Sequence, residues 1–410
     1  MTIELEAKVG LLLDGIASRL DISPTKYKQA VDRYTAVSNW IAEGKFDGVE
    51  DIHFYPQGSF RLGTVIRPIR NGQDTDYDID LVSEFLVSKS SISPQELKDM
   101  VGARIAENEM YKKMLDEEGR RCWKLLYTEQ DGVGFHLDVL PATPEESSLR
   151  SFRVAPQLAD KAIAITHKNK DKTYEWYSSN PSGYADWFDD INRPYLNEVK
   201  SVQKRSLFDN NKEIYSSIDD VPDALIKTPL QRAIQILKRH RDIRFTNHPM
   251  SSDKPISMII TTLSAHLYTG EPNVFLALRN IVNQLDMLSA FLTPGYSQNK
   301  LLQEQRLITR KADGTWFIPN PVNPDENFAD RWHENDNRKA KAFFQWTRWV
   351  KEDIVEILGS NDIGKIVKSF ESTLGQASIA TAKALNLPTS AAVIAAPMVH
   401  ISQPNKPWGE

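Results

Sequence analysis

Asp76-Tyr77-Asp78-Ile79-Asp80-Leu81-Val82 is the stretch on which the reading of this chain turns. Asp78 and Asp80 alternate with Ile79 and Leu81, the period of two of a β-strand, so both carboxylates share one face and the aliphatic pair turns to the core. At about 3.3 Å of rise per residue the two acids stand roughly 6.6 Å apart along the strand. Phe135-His136-Leu137-Asp138-Val139-Leu140 repeats the design, with Asp138 on one face and Leu137 and Val139 on the other, so a neighbouring strand can add a third carboxylate. Unit charges about 4 Å apart repel by about 4 kcal/mol at an effective dielectric of 20, and divalent cations relieve that repulsion. Hard oxygen ligands suit Mg²⁺, which takes one or two carboxylates together with water and substrate phosphates. Taken alone, an aspartate pair of this kind is also the common sequence of strand ends and turns.

Upstream, Pro56-Gln57-Gly58-Ser59-Phe60-Arg61-Leu62-Gly63-Thr64 follows an apolar strand. Gly58 lets the backbone approach an anion, and the Ser59 hydroxyl with the following amides can donate to phosphate oxygens at a helix start. No Gly-Lys-Ser/Thr follows, so the turn is neither a Walker loop nor a dinucleotide fingerprint.

Away from these segments the texture changes. Ile3, Leu5, Val9, Leu12, Leu13, Ile16 and Leu20 recur at helical spacing, and after Ser23-Pro24 the pattern resumes through Tyr34, Val37, Trp40 and Ile41. Short apolar runs broken by Gly, Pro, Asn and Asp then indicate a mixed sheet, interrupted by one helix from Pro94 to Leu115. Beyond Pro181 the signals are mainly helical, with candidates at Thr228 to Phe245, Ile256 to Tyr268, Val274 to Leu292, Arg338 to Leu358 and Asp362 to Leu385. Between Trp316 and Trp332 the prolines predict a rigid extended segment across the helices. The expected organisation is an N-terminal helical pair over 1–45 bracing both lobes, a catalytic core over 46–180, a helical lobe over 181–385 and a mobile tail over 386–410.

The 410 residues are 40 % hydrophobic and 26 % charged, which excludes a wholly disordered chain. A formal net charge of −5 offers no global attraction to long nucleic acid or to an anionic membrane, so small phosphorylated substrates fit better. Cys122 is the only cysteine, and it reads as a core residue. No signal-peptide run and no membrane-length apolar stretch is visible, so a cytoplasmic location is expected. On the helix ending at Asp242, Leu230, Ile234 and Leu237 define a buried stripe while Lys238 and Arg241 can share a face. Arg239 and Arg241 read equally well as cleft cations or as a solvated face. His136 and His240 lack a metal-type partner and read as structural.

Strand, Gly-Ser, aspartate-pair strand and third aspartate, in that order, resemble the DNA polymerase β-like nucleotidyltransferases, and specifically the bacterial cGAS/DncV-like nucleotidyltransferases (CD-NTases) of CBASS anti-phage defence. The resemblance runs through Gln57 to Phe60, Asp78 to Leu81, His136 to Val139, Asn180 to Phe188 and Thr228 to Asp242. It implies an α+β fold: a polymerase β-like mixed-sheet lobe plus a helical lobe, with the active site in the cleft between them. It implies that Gln57, Gly58 and Ser59 hold the triphosphate. Asp78, Asp80 and Asp138 would be the catalytic acids and bind two Mg²⁺ ions, with Mn²⁺ able to substitute. Lys238 and Ser257 match the positions that hold the donor triphosphate, with Ser251 and Ser252 competing for the serine role.

The implied reaction joins ATP and/or GTP, at least one purine included, into a cyclic di- or trinucleotide with release of pyrophosphate. The implied product activates a downstream effector, and the implied enzyme works as a monomer. Some relatives have their C-terminus joined to other molecules by a ubiquitin-transfer-like partner, although Glu410 after Gly409 departs from the expected small-residue ending. Two readings stay open beside the cyclase: a template-independent RNA-end nucleotidyltransferase and a catalytically silent nucleotide or RNA sensor.

Overall fold

The alternation around the aspartates does form strands. In the computed structural model, which describes residues 3–67, 69–70, 73–74, 77–127, 134–145, 154–288 and 307–389, six strands make one mixed sheet. They are β1 (Ile52–Gln57), β2 (Tyr77–Phe85), β3 (Trp123–Tyr127), β4 (Phe135–Pro144), β5 (Ile163–Lys168) and β6 (Tyr174–Ser179). β2 lies between β1, antiparallel to it, and β4, parallel to it; β4 also pairs antiparallel with β3 and then with β5, which carries β6 at the edge. Tyr77, Ile79 and Leu81 are buried while Asp78 is exposed and Asp80 half-buried, the pattern of a strand with one apolar face.

The two opening helices divide between two cores. α1 (Ile3–Leu20) buries Val9, Leu12, Leu13 and Ile16 among the helices of the second half, whereas α2 (Pro24–Ala42) buries Ala30, Val37 and Ile41 with Leu81 and Phe85 of the sheet. Ser23 ends the break between them by accepting from Lys26 N, with Pro24 pre-set for the first helical turn. The single helix expected from Pro94 to Leu115 is two, α3 (Pro94–Ala106) and a short helix Glu109–Met114. The Asn108 side chain accepts from Met110 N and Tyr111 N and so restarts the chain as a new N-terminus.

The helical lobe begins with α4 (Pro181–Asp209) and continues through α5 (Pro229–Phe245), α6 (Ser257–Leu267), α7 (Val274–Leu288) and α8 (Glu334–Val350). α8 does not run on to Leu358; a π turn, Lys351–Val355, and a 3₁₀ turn, Glu356–Ser360, follow it. The helix expected from Asp362 to Leu385 is broken into α9 (Ile363–Leu374) and α10 (Gln376–Ala384) by Gly375, whose φ of +77° leaves the helical region. The proline-rich segment folds back on itself as Pro319–Asn320 against Asn323–Asn327, and Trp316, Ile318 and Val322 pin it into the helical core. Of the expected tail, residues 390–410 lie outside the described residues, as do residues 289–292 at the end of the expected Val274 to Leu292 helix.

Candidate active site

Sheet register aligns the acids. Asp80 of β2 stands directly beside Asp138 of β4, with Gln57 of β1 on its other flank and Lys124 of β3 beyond Asp138, so the four form one row across the sheet. Residues in register on neighbouring strands point to the same face. Asp78, two residues back, stands beside His136, and Asp78 Oδ1 lies 3.2 Å from His136 Nδ1. His136, which reads as structural in the sequence, therefore touches one of the acids.

The row is electrostatically strained. Burial pushes the Asp80 carboxyl up to about 7, with repulsion from Asp138 and Asp78 adding to it and Lys124 opposing. Burial also raises Asp138 above the usual carboxylate range, with Lys124 pulling against it. Lys124 Nζ meets the buried Asp138 Oδ1 at 3.3 Å, an oxygen that has no other polar contact among the described residues. The Cys122 thiol donates to Asp138 Oδ2 at 3.4 Å, and burial pushes that thiol up to about 12, so it stays a donor. Cys122 is half-buried at the site and not in the core where its sequence reading put it.

Among the described residues no three His, Cys, Asp or Glu side chains stand close enough together to hold a metal ion. Asp78 is turned to His136 and Asp138 to Lys124, as repelling carboxylates do when other partners are in reach. A raised Asp80 carboxyl and an Asp138 oxygen met only by an ammonium nevertheless fit a hard cation that takes two carboxylates and completes its shell with phosphate and water.

Immediately after β1 the chain turns through the four residues Gly58–Arg61. Gly58 has φ of +62°, and a Cβ there would stand 2.4 Å from Asp80 Oδ2, so only glycine lets this turn press on the acid. No side chain caps the turn at Gln57, and the half-buried Ser59 hydroxyl makes no hydrogen bond among the described residues. Both groups are left to donate elsewhere.

Lys238 is placed otherwise than its sequence position implies. It is buried, burial and Arg241 hold its ammonium down to about 7, and Nζ donates to Thr64 O at 3.1 Å and Thr64 Oγ1 at 3.0 Å. It thus grips the loop that follows the Gly58 turn and does not reach the cavity beside the acids. Ser257, at the first position of α6, accepts from Arg241 Nη1 at 3.0 Å, so its cationic partner is Arg241 and not Lys238. Ser251 and Ser252 are exposed. Arg239 and Arg241, open in the sequence between cleft cations and a solvated face, are both buried. His240 is buried and held by Asp353 Oδ2 at 2.9 Å, a structural contact.

A cavity of about 340 Å³ opens between the sheet and the helices, with Gln57, Gly58, Asp80 and Asp138 at its sheet side and Tyr184, Met258 and Glu326 at its helical side. Its size is near the lower end of small-molecule pockets, about 300–1,000 Å³. A larger groove of about 1250 Å³ runs along α1 and α4, away from the acid row. The sequence did not single out Arg61, Arg121, Lys124 or Glu326, and all four border the row or its cavity. Arg61 alone had a local signal, since it lies one helical turn after Gly58; it forms a paired contact across the cleft with Asp189 of α4, 2.7 and 3.4 Å.

A glycine-serine turn pressed on an aspartate row, in a cleft between a mixed sheet and a helical lobe, defines the class as nucleotidyltransferase. Residues 52–141 match the family model for the nucleotidyltransferase domain of the cyclic GMP-AMP synthase DncV-like kind, so the chain carries a DncV-like nucleotidyltransferase domain. A c-di-GMP synthase of Roseivirga ehrenbergii is 29 % identical over 339 residues, covering 81 % of this chain and 76 % of that protein. Cyclic dinucleotide synthase CdnG of Bradyrhizobium diazoefficiens is 25 % identical over 338 residues, covering 79 % and 70 %. The solved structure of the Bradyrhizobium diazoefficiens CD-NTase CdnG in complex with GTP aligns with a TM-score of 0.64 over 92 % of this chain and 99 % of that one, at 22 % identity. That last likeness is one of fold. Among the described residues no helix is long and apolar enough to cross a membrane.

Proposed function

We propose that this chain is a cyclic dinucleotide synthase that joins purine nucleoside triphosphates, GTP among them, with release of pyrophosphate. The observation that carries the reading is the register of Asp80 beside Asp138 with Gly58 packed on Asp80, at the mouth of an interlobe cavity. The names of the two relatives, a c-di-GMP synthase and a cyclic dinucleotide synthase, support the product class. Asp78, Asp80 and Asp138 would hold magnesium ions, which when bound supply charge neutralisation at the leaving pyrophosphate and activation of the attacking hydroxyl. The turn Gln57 to Ser59 binds the donor triphosphate through backbone amides and the Ser59 hydroxyl. A ribose hydroxyl of the acceptor attacks the donor's α-phosphorus. The bond from that phosphorus to the bridging oxygen breaks, and pyrophosphate leaves with its electron pair. The hydroxyl proton passes to the Asp138 carboxylate. A second such transfer closes the ring.

Family resemblance further supports a role in anti-phage defence through a cyclic-nucleotide-activated effector. Incubation with labelled triphosphates and Mg²⁺ tests the chemistry: short, phosphatase-resistant products are expected, and the Asp78→Ala, Asp80→Ala double variant loses them with an unchanged or raised melting temperature. Long ladders would indicate an RNA-end transferase, and absence of any product a sensor; either overturns the proposal.

A further inference from the structure

The cavity has a second polar end, remote in sequence from the acid row, built by the folded-back proline segment. Glu326 lies on the strand Asn323–Asn327, and Asn320 on the facing strand donates from Nδ2 to Glu326 Oε2 at 2.8 Å. Asn320 is itself buried, and its Oδ1 accepts from Val322 N at 3.0 Å, so the amide can present only its donor to the carboxylate. One carboxylate oxygen is thereby fixed. The other, Oε1, accepts no hydrogen bond among the described residues and belongs to a side chain that lines the cavity. Burial raises the Glu326 carboxyl above its ordinary range, while the Asn320 donor and then Arg121, on the same cavity but not paired with it, pull it back toward the ionised form. The rings of Tyr184 and Phe328 and the side chain of Met258 give this end apolar walls.

Such an end suits a flat heterocycle whose edge offers hydrogen-bond donors and no facing acceptor. Guanine has that edge, with N1–H and the 2-amino group side by side. Adenine presents an acceptor at N1, and uracil a single donor. We propose that Glu326 is the residue that selects guanine, its carboxylate accepting from N1–H and the 2-amino group of a GTP whose triphosphate extends toward Gly58; this rests on the reading of the cavity as a nucleotide site. Asn320 is its positioning residue.

Binding of non-hydrolysable GTP, ITP and ATP with Mg²⁺ to the full-length protein, wild type and Glu326→Gln, tests the assignment without requiring turnover. An amide can donate to adenine N1 and accept from its 6-amino group, so the substitution should reverse the preference. GTP is expected to weaken by roughly tenfold to hundredfold, as for loss of a charge-assisted pair, while ATP holds or tightens. Wild type should bind ITP, which lacks the 2-amino group, more weakly than GTP, and the variant should lose that difference. Glu326→Asp, which keeps the charge, should retain a preference for GTP over ATP. An equal loss for GTP and ATP, as a ribose contact would give, overturns the assignment, and so does no loss at all with the melting temperature unchanged. Absence of binding by the wild type to every triphosphate would instead overturn the reading of the cavity. Binding without cyclic product would refute the proposed product alone.

Discussion

Gly58→Ala separates the chemistry of the acid row from the stability of the turn. The backbone at Gly58 has φ of +62°, where a side chain costs about 1–2 kcal/mol. In addition the new Cβ would lie 2.4 Å from Asp80 Oδ2, short by 1.0 Å of the 3.4 Å at which ordinary contact begins. The turn and the carboxylate must therefore part by about that distance, and a misplacement of about 1 Å at a reacting centre costs about 100-fold in rate. Gly48→Ala supplies the control, because Gly48 has φ of +74° and a methyl group added there would meet nothing within 4 Å. Both variants should lose about 1–2 kcal/mol in urea melts. Only Gly58→Ala should lose about 100-fold in pyrophosphate release from labelled GTP and ATP. A Gly58→Ala enzyme within a few-fold of wild type would refute the role given to the contact, and an equal loss of rate in Gly48→Ala would refute its location.

Lys238 gives a prediction with a sign. Its folded value of about 7 lies below the 10.5 of an ordinary lysine, so between those values the unfolded chain binds the extra proton and folding stability rises with pH. Lys238→Met removes that contribution, up to about 1.4 kcal/mol per pH unit, so wild type should gain more stability than the variant between pH 7 and pH 9 in urea melts; equal gains would count against the lowered value. At Arg61 the contact with Asp189 is between side chains 36 % and 41 % exposed, worth at most about 1 kcal/mol. Asp189→Ala should therefore shift the melting temperature little, whereas Arg61→Ala, removing a cation from the cavity wall, should raise KM for triphosphate roughly tenfold and change kcat less. An unchanged KM would take Arg61 out of the site.

The strands that carry the acids were legible because alternation is local: Tyr77, Ile79 and Leu81 inside, Asp78 and Asp80 outside, needs no knowledge of the partner strand. The row was less legible, since the sequence says that Asp138 can join the pair but not that Lys124 and His136 come with it. α4 shows the opposite failure. Its 29 residues contain Pro194 and few buried apolar positions, so neither periodicity nor propensity announces a helix of that length. Glu326 stands in a strand paired with the one that carries Asn320, and its place on the same cavity as the acids is wholly tertiary. The run Lys238 to Arg241 shows a limit of local reading: four consecutive basic side chains resemble a solvated face, the alternative left open for Arg239 and Arg241, yet every member of the run is buried.

Lys238 and Arg239, the first half of that run, are held by the backbone of the loop leaving the Gly58 turn. Carbonyl oxygens between residues 62 and 67 have left the sheet and need donors. Lys227 donates to Gly63 O, Gln231 to Leu62 O, Gln235 to Val65 O, Lys238 to Thr64 O and Arg239 to Arg67 O. Positions 227, 231, 235, 238 and 239 recur at helical spacing, so one side of α5 and its stem is spent on this loop while Leu230, Ile234 and Leu237 are buried in the helical core. Loss of one such donor strands a carbonyl at about 1–3 kcal/mol, enough to hold long polar side chains in an interior that would otherwise exclude them. The loop that leaves the glycine-serine turn is therefore tied along its length to the helical lobe.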